Sequence, residues 1–177
     1  MRCLERRFFL TGMLLLGSSV NSQASPGQAG AGPDWSAVEA GGLRFRWRHR
    51  DDALQGRLSA PTAGWLAVGF NDVERLKGTC FVIAQVSQAP TRVALHRAIV
   101  PTHAPVADAE ARAALIREGA SFAEGRSHLG FRLPHRSGKA LGVRLTPGAA
   151  SYLMLAWSHA TDFTHHSAFR GHRWVTL

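Results

Sequence analysis

The chain has 177 residues, 45% of them hydrophobic and 19% charged, which is one domain's worth of sequence and excludes a disordered tail or a low-complexity scaffold. Eighteen Gly, eight Pro, five Trp and nine Phe favour short strands and turns over a long-helix bundle. Twenty-one Lys+Arg against twelve Asp+Glu give a net charge of +9, which raises an anionic partner, although no Gly-rich phosphate loop or interleaved exposed aromatics point to nucleic acid.

Residues 1–24 have the three parts of a cleaved export signal. A basic start is followed by the apolar run Phe8 to Gly17 and a small-residue site at Ser22-Gln23-Ala24. The run is about half of the roughly 20 apolar residues that span a bilayer, so no stable membrane insertion is expected after cleavage. Arg6-Arg7-Phe8-Phe9-Leu10 is similar to the twin-arginine signal, with Glu5 departing from the usual Ser or Thr; an ordinary secretory leader is the alternative. The signal takes Arg2, Arg6, Arg7 and Glu5 with it, which leaves 18 basic and 11 acidic residues, a net +7. Residues 25–33 read as a linker, and 34–177 as one domain outside the cytoplasm, periplasmic or secreted. Cys3 belongs to the signal, so Cys80 stands alone and reads as a small buried hydrophobe.

Within the domain, Leu43, Phe45 and Trp47 alternate with Arg44, Arg46, Arg48 and Arg50, a half-buried strand with a basic outer face. A hairpin partner follows at Leu54–Ser59. Trp65 to Phe70 is apolar on both faces and suits a central strand or one facing a pocket. Strands continue at 79–86 and 92–100, and Ala107 to Ile116 is the one helix-like run. Alternation continues at 129–133 and 141–145, and further strands are expected at 151–157 and 172–177. Eight or nine short strands with turn chemistry between them predict an all-β, Ig-like antiparallel sandwich with at most one short helix.

Four of the nine histidines, His159, His165, His166 and His172, fall within Ser158–His172, between two predicted strands. Loops on a rigid scaffold carry binding residues, and imidazole is the commonest metal-ligating side chain. Adjacent His165 and His166 point to opposite sides of an extended chain, so the pair offers one ligand. A copper or zinc site on this cluster, with His159 as a member, remains open, although no spaced Cys or His-Glu motif accompanies it. No nucleophile elbow is present, so an electron-transfer or binding domain is expected rather than an enzyme. Met154 reads as core packing.

Gly64-Trp65-Leu66-Ala67-Val68-Gly69-Phe70-Asn71, then Leu76-Lys77-Gly78-Thr79-Cys80-Phe81-Val82, then Asp162-Phe163-Thr164-His165-His166-Ser167-Ala168-Phe169-Arg170-Gly171 together resemble the DOMON family from about Trp35 to Leu177. The resemblance implies an extracytoplasmic Ig-like sandwich that binds haem b, as in the cytochrome domain of cellobiose dehydrogenase, or a sugar. It implies an axial His at His166, with His165 as the register alternative, and an axial Met where this chain has Leu76. Leucine cannot ligate iron, so a five-coordinate or bis-His site, with His159 or His103 as partner, is the form haem would take. Trp65, Phe70 and Leu76 are expected to bury the ligand. The expected partner is a membrane cytochrome or a periplasmic redox protein. A haem-free carbohydrate-binding module, stacking sugars on Trp47 or Trp174, is the alternative.

Overall fold

The alternation of Leu43, Phe45 and Trp47 with arginines orients the first long strand and, through it, one of two layers. In a computed structural model, which describes residues 34–177, these three side chains are buried and the arginines face outward. The expected export signal and linker lie outside the described residues.

The strands in chain order are β1 (Ser36–Ala40), β2 (Leu43–Arg50), β3 (Ala53–Ala60), β4 (Trp65–Asn71), β5 (Cys80–Gln85), β6 (Arg92–Ala98), β7 (His103–Pro105), β8 (Ile116–Ala123), β9 (Arg126–Pro134), β10 (Ala150–Trp157) and β11 (Phe169–Thr176). They form a five-stranded sheet of order β1-β2-β3-β9-β8 and a six-stranded sheet of order β11-β10-β4-β5-β6-β7. Every pairing is antiparallel. The all-β sandwich expected from the sequence is the fold observed.

Aromatic rings tie the layers together. Phe45 of β2 stacks on Phe131 of β9 at 6.3 Å and meets Phe70 of β4 edge-on at 6.0 Å. Gly56 on β3 makes room for this cluster, because a Cβ there would enter the Phe131 ring. Cys80 is buried and unpaired, and burial pushes its thiol up to about 11, so it packs as a hydrophobe.

The expected helix is α1 (Ala109–Ala113), capped by Asp108, whose carboxylate accepts the Ala111 N–H at 2.9 Å. A single turn, α2 (Gly138–Leu141), follows the Pro134–Gly138 break. Residues 141–145 are not the strand their alternation predicts. Gly142 ends α2 at φ +65°, and the segment runs on without a ladder partner while Leu141, Val143 and Leu145 still enter the core. The alternation reported burial correctly and hydrogen bonding wrongly. Among the described residues no helix is long and apolar enough to cross a membrane.

Candidate functional site

All seven residues of β4 are buried, which a sheet with one wet face does not allow. Leu66, Val68 and Phe70 enter the core between the sheets. Trp65 and Ala67 point the other way, onto the outer face of the six-stranded sheet, where they join Ile83, Ala156 and Phe163 in a second apolar cluster. Loops flank this face and leave a partly open cavity of about 260 Å³. That is slightly below the roughly 300–1,000 Å³ of ordinary ligand clefts. Its floor is apolar: Trp65, Ala67, Phe81, Ile83, Met154 and Ala156.

The segment between β10 and β11 forms one wall with Thr164, His165, His166, Ser167 and Arg170. Its backbone is fixed at both ends. Thr62 Oγ1 donates to Ser158 O at 2.5 Å, Trp65 N to Ala160 O at 3.0 Å, and Ser158 Oγ to His166 O at 2.9 Å. Gly64 is required here, since a Cβ would run into the carbonyl oxygens of Ser158 and Ala160. Asp162 accepts from Thr164 N at 3.0 Å and Thr164 Oγ1 at 2.7 Å, and these hydrogen bonds hold its carboxyl below the usual carboxylate range. Phe163 anchors the middle of the loop, with the Arg92 guanidinium 4.8 Å above its ring.

The opposite wall comes from the turn after β4 and the β6–β7 hairpin. Asn71 Nδ2 donates to Arg75 O at 2.8 Å and Thr79 Oγ1 at 3.1 Å, which folds the turn so that Leu76 lines the cavity. His103 of β7 lines it as well. Its Nδ1 lies 2.7 Å from Nδ1 of His96 on β6. His96 is only 8% exposed, and burial, followed by the neighbouring His103, pushes its imidazole down to about 4.

The structure thus brings Trp65, Leu76, His165 and His166 to one cavity. Both loop histidines are solvent-exposed at its rim, and His165 Nδ1 sits 3.6 Å from Asp162 Oδ2. Phe70 is a correction: it stands five residues from Trp65, an odd step along a strand, and therefore faces the inter-sheet core. His159 is outside the cavity lining and packs edge-on against Trp157 at 5.1 Å. Trp47 is buried beside Phe45 and offers no stacking face. Among the described residues, no group of three or more His, Cys, Asp or Glu is gathered as a metal ion would need.

Sequence reasoning missed two features. Met154 is buried as expected, at 2% exposure, but faces the cavity rather than the core. The Tyr152–Trp157 run is apolar throughout and so carries no phase from which its inward face could be read. The His96–His103 contact is created by a hairpin turn between two residues that sequence alone leaves unrelated. Trp65 Nε1 is buried without a hydrogen-bond partner, an orphaned donor in a ring of the cavity floor.

No family model matches the chain, and no curated protein matches it. A solved structure does: the cytochrome b domain of pyranose dehydrogenase from Coprinopsis cinerea, 13% identical, with a TM-score of 0.56 over 80% of this chain and 81% of that one. The chain shares the fold of that cytochrome b domain. The architecture implied by the DOMON resemblance is therefore the architecture present. At this identity the cytochrome b domain speaks for the arrangement of sheets, while the chemistry of the site rests on this chain's own side chains.

Proposed function

We propose that the domain is a periplasmic electron-transfer module that binds haem b in the cavity on the outer face of the six-stranded sheet. The observation that carries this reading is the donor set. Three imidazoles and a thioether, from His103, His165, His166 and Met154, line a single apolar-floored cavity, and these are the side chains that ligate haem iron. The rim guanidinium of Arg170 suits a flat apolar ligand that carries acidic groups. The cytochrome b domain with the same fold supports the same reading.

His166 is the iron ligand contributed by the loop, with His165 as the register alternative. Ser158 fixes the His166 backbone, while Trp65 and Leu76 keep water from the ligand's apolar face. When bound, haem would supply a one-electron couple. The redox partner, a membrane cytochrome or a periplasmic protein, docks over the exposed His165–His166 rim. The outward arginines of β2 lie on the far side of the sandwich and do not serve that contact.

Protein expressed with haem supplementation is expected to purify with a Soret band that His166→Ala weakens or shifts. A colourless wild type would overturn the reading. The carbohydrate alternative then remains, resting on Trp174, 44% exposed with Tyr152 at 5.3 Å, and polysaccharide binding lost in Trp174→Ala would favour it.

A further inference from the structure

The haem reading leaves one side of the iron without an assigned residue, because Leu76 stands where the resemblance places methionine. Besides the loop histidines, two cavity side chains carry donor atoms: Met154 on β10 and His103 on β7. They are supported differently. Met154 is set into the floor opposite Gly69 and is held by packing alone. His103 has its Nδ1 in a 2.7 Å hydrogen bond with Nδ1 of buried His96, so Nε2 is the nitrogen it has free for a ligand.

An imidazole pair joined through both Nδ1 atoms needs one ring to donate and the other to accept. With His103 donating, its Nε2 carries the lone pair that a metal requires. A ligating histidine almost always donates its second ring N–H to a fixed acceptor, which sets tautomer and orientation. His96 has the placement of such an acceptor. It is a buried polar ring, it hydrogen-bonds to His103, and the Phe163 ring meets it edge-on at 5.7 Å. Phe163 belongs to the loop that carries His165 and His166, so a single pile of rings links both walls of the cavity.

We propose that His103 is the second iron ligand of this site, through Nε2, and that His96 is the residue that positions it. The inference rests on the haem reading above and specifies a bis-histidine site in place of a histidine–methionine one.

The test uses the haem-loaded protein, with electron paramagnetic resonance, near-infrared magnetic circular dichroism and redox titration as readouts. Wild type is expected to be low-spin with no thioether-to-iron charge-transfer band. His103→Ala should retain haem but become high-spin, and added imidazole should restore the low-spin signal. His103→Met should stay low-spin, acquire the thioether band and titrate at a higher potential, and its similar bulk keeps the test alive should the alanine variant fail to fold. His96→Ala should weaken haem affinity about 10–100-fold and mix the spin states, with His96→Gln, which retains an acceptor, recovering the wild-type spectrum. A low-spin spectrum unchanged in His103→Ala overturns the assignment, and a thioether band in wild type that Met154→Leu abolishes transfers the role to Met154. Absence of a Soret band in wild type overturns the haem reading itself, an outcome separate from these.

Discussion

His49, at the end of β2, shows how one side chain can set a pH dependence away from the cavity. Its Nδ1 lies 2.9 Å from Nε2 of His135, with ring centroids 5.0 Å apart. Burial first, and then His135, lower its imidazole from 6.5. Above that value the ring is neutral in both folded and unfolded chains. Below it the unfolded chain takes up a proton that the folded ring resists, so stability falls as pH drops through about 6.5. Urea midpoints measured from pH 7.5 to 5 are expected to fall, with a shallower slope in His49→Gln. At this scale the sequence was partly legible. His166 and Leu76, singled out by separate motifs, line one cavity. Phe70 was misplaced because a strand apolar on both faces hides which alternate set faces which layer.

The element that matters most is the loop between β10 and β11, and its position depends on residues outside it. Gly64 lies against the Ser158 and Ala160 carbonyls that anchor the loop to the start of β4. Gly64→Ala is expected to displace this anchor, costing about 1–3 kcal/mol in chemical denaturation and lowering the haem-to-protein absorbance ratio more than an alanine at Gly119, which has open space around it and no positive φ. β8 shows where element prediction failed. All eight of its residues are exposed, so it has no buried alternation to read, and its existence follows from pairing with β9. The converse case is residues 141–145, which bury alternate side chains without joining a sheet. Periodicity records which side chains are covered, and ladder formation also needs an available edge.

Across the whole molecule, the two apolar clusters have separate duties. The larger one holds the sheets together, and the smaller one floors the cavity. Phe70→Ala, in the larger, should cost about 3–5 kcal/mol of unfolding free energy. His166→Ala, at the exposed rim, should leave ligand-free stability within about 0.5 kcal/mol of wild type while it changes the Soret band. Equilibrium unfolding of both variants, paired with absorption spectra, checks this separation. The sandwich was legible from strand spacing because inter-sheet burial repeats along every strand. Which outer face carries the cavity was not, since that depends on loops closing over β4 and β5. A shelf built outside the load-carrying interior leaves the scaffold's own core complete without a guest, so emptying the cavity removes none of the contacts that join the two sheets.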